Sequence, residues 1–296
     1  MGEFRGYSAI LTASALFGAS ATVGTLLLKN LGVNPLVGLV LAHGIASLAF
    51  LPFAFRTRPR RQDALFFAAW GLNGAALAPL CWFYGISLTV PTEAALLANL
   101  EALSTVAFAY VFLKERVPRR GYFGIAALLV GAVAVTTNLD FVTLGFKTHL
   151  AGNSLLILSS CLFGIDNNMS RVLITRYDRR GIPFFKIWIG LAVLIPISLA
   201  IRAPYTFSAS ILELAVFLGI GSVAGVMWFF YIAFQEIGAM RTGALVSTSA
   251  LFGVAIAYGV FQTAPTAVQL GGGLLMVAGT FLTTAWTPRR RRNREG

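Results

Sequence analysis

Long apolar runs follow one another along the whole chain, and only short polar or basic stretches separate them. A helical run needs about 20 residues to cross a hydrocarbon core of about 30 Å. Because backbone polar groups cannot stay unpaired in lipid, and because these runs are too long and too uniformly apolar for barrel strands, each one predicts a transmembrane helix. The ten runs fall at about 7–28, 35–55, 64–88, 92–112, 119–138, 150–171, 183–201, 211–235, 241–261 and 266–286.

The second half of the chain resembles the first when the two are aligned at a fixed offset. Residues 82–137 fall on 229–284 without a gap when they are shifted by 147 positions. Near the start of each half, the sequence SALFG at 14–18 recurs 146 positions later as SCLFG at 160–164. Internal repeats are a recurring basis of transporter folds, so the chain is predicted to be a duplicated unit of five helices.

Basic residues are distributed unequally between the loops on the two sides of the membrane. Lys and Arg concentrate in cytoplasmic loops. If the N-terminus is cytoplasmic, 20 of the 23 basic residues lie in inner segments, and the outer segments hold only Lys29, Lys147 and Arg202. The sequence therefore predicts a multi-pass membrane protein with both termini in the cytoplasm.

An odd number of helices per repeat requires the second copy to enter the membrane upside down. In folds of this kind the substrate site lies near the bilayer midplane between the two halves. The predicted fold is an all-α membrane protein with ten transmembrane helices, arranged as two inverted five-helix repeats around a central cavity. The repeats are assigned to residues 1–148 and 149–287, and residues 288–296 form a basic cytoplasmic tail.

The composition agrees with a membrane protein, because 57% of the residues are hydrophobic and 11% are charged, against about a quarter charged in soluble domains. The net charge of +12 comes from short loops, whereas a nucleic-acid binder needs a basic face with interleaved aromatic residues. Cys81 and Cys161 lie inside apolar runs, so no disulfide framework or metal site is predicted. The expected partners are a small-molecule substrate and the lipid bilayer, without nucleic acid or cofactor, and a monomer is compatible with this architecture.

Glu101 is the most informative single residue. It stands about ten residues into the fourth predicted helix, near the bilayer centre, where an ionised carboxylate is costly unless it faces a cavity or a partner. One interpretation is that Glu101 binds a substrate ammonium group, carries a proton or holds a gate. The other is a protonated carboxyl group that is hydrogen-bonded within the bundle. Helical spacing places Leu97, Ser104, Thr105 and Phe108 on the same, partly polar face.

Other polar side chains within the predicted helices allow two interpretations each. A lone amide such as Asn99 is as often a hydrogen-bond partner between helices as a ligand. Asp166 and Asn167 precede Arg171 by a few residues, so a solvated or salt-bridged helix end is favoured there over a substrate site. His43 could relay protons because its unperturbed pKa is near neutral, although a buried, hydrogen-bonded histidine is the more common case.

Aromatic residues and prolines add candidates for a pocket and for hinges. Trp82, Tyr84, Trp228, Tyr231 and Tyr258 could line a pocket, although aromatic residues also anchor helices at membrane interfaces. Tyr84 and Tyr231 are repeat partners, which favours a pocket role for both.

Prolines inside the third and seventh predicted helices are candidate hinges. Pro79 and Pro196 each remove one intrahelical hydrogen bond and permit a kink.

Two competing functional classes are an intramembrane enzyme and a passive channel. No HExxH motif is present, the sequence GASA at 18–21 lacks the final glycine of a GxSG loop, and His43 and His149 are the only histidines. We therefore expect no catalytic residues and no enzyme activity. The sequence does not exclude passive conduction, which saturable counterflow would distinguish from a carrier.

Three details of the sequence resemble a known family. The segment VFLKERVP at 111–118 closes the fourth helix with a Glu-Arg pair, glycines 124 and 131 are spaced by seven on the fifth helix, and glycines 272 and 279 are spaced likewise on the tenth. On these residues the chain resembles the EamA-type members of the drug/metabolite transporter superfamily, and among them the bacterial amino-acid exporters of the YddG type. The resemblance covers nearly the whole chain.

The resemblance implies that helices one to four and six to nine surround a central cavity, with helices five and ten behind them. The chain departs from the family pattern at two places. The Leu-Glu-Pro run common in the family's fourth helix is here Leu100-Glu101-Ala102, and Gln262 stands where the second copy would have the Glu of the Glu-Arg pair.

Together these observations predict a transporter of small metabolites, chiefly neutral and aromatic amino acids, which works by alternating access. The resemblance alone implies that it lies in the bacterial inner membrane and that transport is outward. Few charges are available in the predicted cavity, because no predicted span has a basic residue near its centre, and a phosphorylated substrate would need paired Arg or Lys there. The alternative is an exporter of multiple drugs or organic cations. Apolar contact is assigned to Tyr84, Trp228, Tyr231 and Tyr258, and polar anchoring to Asn99, Glu101 and Thr248, the last being the repeat counterpart of Glu101.

Overall fold

A computed structural model describes residues 2–89, 91–142, 147–261 and 266–284 of the chain. Within these ranges the chain forms helices and loops and no strand. The side chain of Tyr258, Gln262 and the basic tail 288–296 lie outside the described residues.

The helices follow the apolar runs closely. In the first half, α1 spans Gly2–Asn30, α2 Pro35–Arg56, α3 Arg61–Leu88, α4 Pro91–Val111 and α5 Arg119–Thr137. In the second half, α6 spans Leu150–Leu173, α7 Ile182–Ala200, α8 Ala209–Ile237 and α10 Ala267–Thr284. Helix α9 begins as Ala239–Leu245, passes through a tight 3₁₀ turn and continues as Ser249–Phe261.

Length and composition qualify α1, α2, α3, α5, α7 and α8 to cross a membrane. Helices α4 and α10 hold shorter apolar stretches, Leu96–Val111 and Ala267–Leu282. Helix α6 carries the consecutive polar residues Asp166, Asn167 and Asn168 in its C-terminal half. The chain is therefore an all-helical protein with several membrane spans, while the count of ten spans and the inverted relation of the halves stay predictions.

Local sequence determines where several helices begin and end. The Asn34 side chain accepts a hydrogen bond from the backbone N–H of Leu36 at 3.0 Å, and Pro35 occupies the first position of α2, where a missing N–H costs nothing. Ser208 caps α8 in the same way through Ile211 N at 3.2 Å. Asn138 ends α5 in the left-handed conformation, with φ of 53°. Each of the two N-terminal side-chain caps, Asn34 and Ser208, stabilises its helix by about 1 kcal/mol.

Two helices contain π-type turns at equivalent positions of the repeat. In α3 the turn covers Asn73–Leu77, and in α8 it covers Phe217–Gly225. Shifting the first range by 147 gives 220–224, which lies inside the second. Pro79 follows the α3 turn, but Val226 stands at the corresponding position in α8, so proline is not required for this distortion.

The two halves interlock along most of their length. Helix α1 packs against α8 and α9, and α6 packs against α3 and α4 in the corresponding way. Helix α2 packs against α7 and α8, and α3 against α7. Helices α5 and α10 pack against each other, and their glycines lie at the contact: a Cβ at Gly131 would meet the Gly272 carbonyl oxygen, and one at Gly279 would meet that of Gly124.

At one end of the bundle, ionic contacts join the halves. Glu115, in the loop after α4, accepts hydrogen bonds from Ala239 N at 3.2 Å and Met240 N at 2.8 Å, and so caps the start of α9. The Nε atom of Arg171 on α6 lies 3.5 Å from the same carboxylate. The neighbouring Arg116 turns away and stacks on Tyr110, its guanidinium carbon 3.6 Å from the ring centroid. Two more pairs bridge the halves, Arg176–Asp63 at 3.4 Å and Arg241–Glu3 at 3.7 Å.

Candidate functional site

A cavity of about 140 Å³ lies between the halves and is lined by residues of α1, α2, α3, α4, α6, α7 and α8. This is about ten times the space that one water molecule needs. Much of the wall is aromatic, with Phe17, Trp82, Phe83, Phe163, Phe230 and Tyr231 among the lining residues. The polar side chains on the same wall are Ser20, His43, Glu101, Asp166, Asn167, Lys186 and Ser222.

Glu101 is held by the amide of Asn167. The Asn167 Nδ2 atom donates one hydrogen bond to Glu101 Oε1 and another to Thr105 Oγ1, both at 3.0 Å. One amide nitrogen has two hydrogens to donate, so this group is fully used in joining α6 to two successive turns of α4. Glu101 is 7% exposed and faces the cavity, which fixes a carboxylate against the cavity wall in a defined orientation.

The close approach of α6 to α4 makes this contact possible. A Cβ at Gly164 would meet the Ser104 side chain and the Thr105 backbone. One turn earlier, Ser160 Oγ donates to the Leu97 carbonyl oxygen at 3.0 Å, and one turn later Asn168 Nδ2 donates to the Thr105 carbonyl oxygen at 3.1 Å. These contacts advance in the same direction along both helices, so α6 and α4 run parallel here.

Asp166 and Lys186 form a buried ion pair that joins α6 to α7. The Lys186 Nζ atom lies 2.5 Å from Asp166 Oδ2, and the two side chains are 4% and 6% exposed. The ammonium group also lies 5.1 Å from the centroid of the Trp70 ring, within the range of a cation–π interaction. Removing one partner of such a buried pair leaves an uncompensated charge and costs about 3–5 kcal/mol.

The π-type turn of α3 makes room for this pair. A Cβ at Gly74 would meet both the Asp166 carboxylate and the Cε atom of Lys186, so only glycine fits there. The adjacent Asn73 Nδ2 donates to the Leu162 carbonyl oxygen of α6 at 2.9 Å. Helices α3, α6 and α7 thus meet at the charged part of the cavity wall.

Three buried polar atoms of the cavity residues make no hydrogen bond to the described part of the chain. They are His43 Nδ1, Asp166 Oδ1 and the Tyr231 hydroxyl oxygen. The three residues as a whole are 4%, 4% and 2% exposed. A buried polar group without a partner costs about 1–3 kcal/mol, and such groups in native proteins call for an explanation. Binding of a polar ligand in the cavity would provide one.

The structure corrects the sequence-based placement of Lys186. The distribution of basic residues places Lys186 among the 20 basic residues of the inner segments, and the sequence predicts no basic residue near the centre of a span. Lys186 is the fifth residue of α7 and so does not stand at its centre, but it is 3% exposed and lines the same cavity as Glu101. Its surroundings in the sequence, FFKIWIG at 184–190, already pointed to an intramembrane lysine, since an isolated charge among apolar residues requires a partner.

For Asp166 and Asn167, the sequence favoured a solvated or salt-bridged helix end over a substrate site. Asp166 is salt-bridged, but Asp166, Asn167 and Asn168 are 4%, 6% and 6% exposed. Their partners lie on α4 and α7, which no local sequence pattern reveals.

The remaining candidate residues divide into two groups. Trp82, Tyr231 and His43 line the cavity, with the Trp82 ring 6.0 Å from that of Phe17. None of Tyr84, Asn99, Trp228 and Thr248 is among the described residues that line it. Their roles as substrate contacts stay predictions.

These four side chains have other surroundings. Tyr84 packs against the apolar cluster that includes Leu156 and Leu194, and the Trp228 ring lies 5.5 Å from that of Phe53. Thr248 Oγ1 donates to the Leu245 carbonyl oxygen at 2.7 Å, and Asn99 is buried on α4.

The two candidate hinges differ in their positions. Pro79 is buried on the cavity wall, directly after the π-type turn of α3. Pro196 is inside α7 and exposed on its surface. Only Pro79 therefore lies where a kink could change the shape of the cavity.

Comparisons with known proteins agree with a transporter. Two segments, residues 4–137 and 150–285, match the model of the EamA-like transporter family. An uncharacterized transporter of Methanothermobacter thermautotrophicus is 28% identical over 300 residues, which cover 95% of this chain and 87% of that protein.

Two relatives with named substrates are more distant. A probable terminal-alkyne amino-acid exporter of Streptantibioticus cattleyicolor is 24% identical over 266 residues, covering 86% of this chain and 84% of that protein. The pseudopaline exporter CntI of Pseudomonas aeruginosa is 23% identical over 219 residues, covering 73% and 74%. One protein of known crystal structure has a TM-score of 0.77 over 96% of both chains at 20% identity, which shows a shared fold.

Proposed function

Because the chain belongs to the EamA-like transporter family, we propose that it is a secondary transporter of the bacterial inner membrane that exports small zwitterionic metabolites, chiefly neutral and aromatic amino acids. The observation that carries the proposal is the composition of the cavity wall. It is largely apolar and aromatic, and it holds carboxylates of Glu101 and Asp166 and the ammonium group of Lys186. A wall with both signs of charge suits a small molecule that itself carries both.

The buried Lys186 is a basic group that a phosphate could contact, but it does not favour a phosphorylated substrate. Phosphate recognition favours paired or bidentate basic groups. Lys186 is the one basic side chain among the described lining residues, and it is already paired with Asp166. A nucleotide sugar would bring more negative charge than this wall can neutralise.

Two inverted five-helix repeats, residues 1–148 and 149–287, are the architecture we propose for this activity. The family model matches the chain twice, once in each half, and the packing of α1 on α8 and α9 corresponds to that of α6 on α3 and α4. The contacts Gly131–Gly272 and Gly124–Gly279 progress in opposite directions along α5 and α10, so these helices are antiparallel. Inversion of an odd repeat requires that relation.

Alternating access follows from the same architecture. The cavity lies between halves that are tied at one end by Glu115, Arg176 and Arg241. By the distribution of basic residues, this end faces the cytoplasm. We propose that these contacts close the cytoplasmic side and that they break when the halves rock apart to admit substrate.

Transport by purified protein in proteoliposomes tests the proposal. Preloaded vesicles should exchange labelled amino acids in a saturable counterflow, and a panel should include organic cations and a nucleotide sugar. Counterflow of neutral amino acids is the expected result. Flux that does not saturate would indicate a channel, and exchange of the nucleotide sugar without amino acids would contradict the proposal.

An organic-cation exporter is the second candidate function. It is favoured by one observation, that the two carboxylates of Glu101 and Asp166 outnumber the single ammonium group on the wall. Efflux of cationic dyes with no amino-acid exchange in the same vesicles would establish this alternative.

Orientation can be tested in intact cells that express a variant in which Cys81 and Cys161 are replaced by serine. Asp140→Cys and Gln62→Cys introduce single thiols at exposed positions on opposite sides of the predicted membrane, the first in the loop after α5 and the second in the first turn of α3. An impermeant thiol reagent should label the first and not the second. Labelling at position 62 would contradict the proposed topology.

A further inference from the structure

The Asp166–Lys186 pair is the one ion pair among the described residues in which both partners line the cavity. Asp166 uses Oδ2 for the lysine, and its Oδ1 atom has no hydrogen-bond partner in the described part of the chain. Glu101 places a second carboxyl group on the same wall, ten residues before α4 ends at Val111. The cavity wall therefore carries one amino group and two carboxyl groups before any substrate enters.

From this arrangement, and given the function proposed above, we propose that a zwitterionic amino acid binds by exchange of ion partners. Its carboxylate replaces Asp166 at the Nζ atom of Lys186, and its ammonium group binds the released carboxylate of Asp166 on the side of Glu101. One ion pair within the protein thereby becomes two between protein and substrate. No covalent step is involved. The ion pair thus determines which substrates the site accepts.

The energetic argument is that exchange leaves no buried charge without a partner. Moving an amino acid into the cavity removes water from its two charged groups, which costs several kcal/mol for each unless new partners replace the water. In the exchanged state each substrate charge meets an opposite protein charge. The exchange also gives the unpartnered Asp166 Oδ1 atom a donor.

The same argument predicts which molecules the site rejects. An amine without a carboxylate would pair with Asp166 and leave the Lys186 ammonium group with only the Trp70 ring. A carboxylic acid without an amine would pair with Lys186 and leave Asp166 unpaired. Sites that leave their own polar groups unpaired with a wrong ligand discriminate strongly against it.

Three probes that share one ring separate the charges: phenylalanine, phenethylamine and 3-phenylpropionate. Competition against labelled phenylalanine in proteoliposome counterflow should show that wild-type protein prefers the zwitterion over each single-charge probe by at least about tenfold. If leucine gives a larger flux than phenylalanine, the corresponding series is used instead: leucine, isoamylamine and 4-methylpentanoate. Equal competition by phenethylamine and phenylalanine in the wild type would overturn the exchange without any variant.

A neutral pair tests the residues themselves. In Asp166→Asn combined with Lys186→Met no charge is left unpaired, so the fold should persist, which elution as a single peak in detergent verifies. The preference for phenylalanine over phenethylamine should fall to about threefold or less. In Lys186→Arg, which keeps the charge, the preference should stay within about threefold of the wild type.

The outcomes distinguish this inference from the proposed function. If no amino acid is exchanged by the wild type, the proposed function fails. If phenylalanine is exchanged and the neutral pair keeps the full preference, the ion pair is structural and the exchange is wrong. If the neutral pair does not fold, the wild-type preferences together with Lys186→Arg decide, because loss of preference in that charged variant contradicts recognition by charge.

Discussion

The contact between α1 and α9 and the contact between α6 and α4 are built alike but carry different chemistry. Ser14 Oγ donates to the Leu245 carbonyl oxygen at 3.3 Å, as Ser160 Oγ does to Leu97 at 3.0 Å. A Cβ at Gly18 would meet the Ser249 carbonyl oxygen and the Gly253 nitrogen, much as one at Gly164 would meet the backbone of α4. The backbone arrangement is thus duplicated.

The side chains that face the cavity are not duplicated. Where α6 has Asp166, the aligned position of α1 has Ser20, which donates to the Phe17 carbonyl oxygen at 2.6 Å within its own helix. Where α4 has Glu101, α9 has Thr248, also bonded within its helix. The comparison teaches that close backbone packing forms the framework in both halves, whereas the acidic and lysine side chains of the cavity wall lie on α4, α6 and α7.

The largest difference between the two sites should follow loss of one partner of the ion pair. Asp166→Asn leaves the buried Lys186 ammonium group without a counterion, so we expect a loss of about 3–5 kcal/mol in the free energy of unfolding. Ser20→Ala, at the aligned position of α1, removes a bond within one helix and should change it by less than about 0.5 kcal/mol. Denaturant unfolding in detergent measures both. Similar losses of stability in the two variants would mean that the buried charge does not distinguish the second half from the first.

A side chain at the framework glycines should disturb both contacts. Gly164→Val and Gly18→Val each force apart helices that touch through backbone atoms, and we expect losses of about 1–3 kcal/mol in each. Gly44→Ala is the control, because a Cβ at that position would meet nothing within 4 Å. It should be neutral or stabilising by up to about 1 kcal/mol. A large loss in only one of the two valine variants would break the equivalence of the contacts.

The cap at the start of α9 should be of intermediate importance. Glu115→Ala removes the acceptor for Ala239 N and Met240 N and the partner of Arg171, and we expect a loss of about 1–2 kcal/mol. Because we propose that these contacts close one end of the cavity, we expect counterflow to change as well, which measurement in proteoliposomes would detect. Arg116 lies beside Glu115 in the loop, but its side chain turns away. Arg116→Ala should change the free energy of unfolding by less than about 0.5 kcal/mol and the counterflow rate by less than about twofold. An equal effect of the two substitutions would exclude a specific role for the cap.

The smallest expected effects are also the sharpest test of duplication. Ser14→Ala and Ser160→Ala each remove one hydrogen bond between helices, which is worth about 0.6 kcal/mol on average inside membrane proteins. The two losses should agree within the error of paired thermal unfolding curves. A loss above about 2 kcal/mol in either variant would show that the serine does more than join two backbones.

Much of the fold could be predicted from the sequence because membrane spans depend on length and apolarity, which are local properties. The runs predicted at about 119–138 and 183–201 are clear examples, since the structure has helices at Arg119–Thr137 and Ile182–Ala200. The repeat aligns Tyr84 with Tyr231 and so favours a pocket role for both, yet only Tyr231 lines the cavity among the described residues. Rotation of a helix about its axis is set by its neighbours, not by its own sequence.

The charged part of the site was harder to predict because its partners are distant in the sequence. Glu101 was recognised from its depth in a span, which is again a local property. Lys186 was missed because it stands near the start of α7, where a basic residue usually belongs to a loop. Its burial depends on Asp166 and on the missing side chain at Gly74, two contacts that arise only after α3, α6 and α7 have assembled.

The π-type turns of α3 and α8 also have a consequence for how the chain tolerates changes in length. A π-type turn closes over five residues where an α-turn closes over four, so each of these turns holds one residue more than a regular helix needs. Deleting one residue from Asn73–Leu77 would restore regular geometry and keep the helix whole. The residues beyond the turn, Pro79 and Trp82 among them, would keep nearly the same angular position, because the turn already absorbs the surplus residue. A deletion in a regular stretch of the same helix would instead rotate everything beyond it by about 100°. A single-codon deletion within the turn should therefore be tolerated far better than one elsewhere in α3.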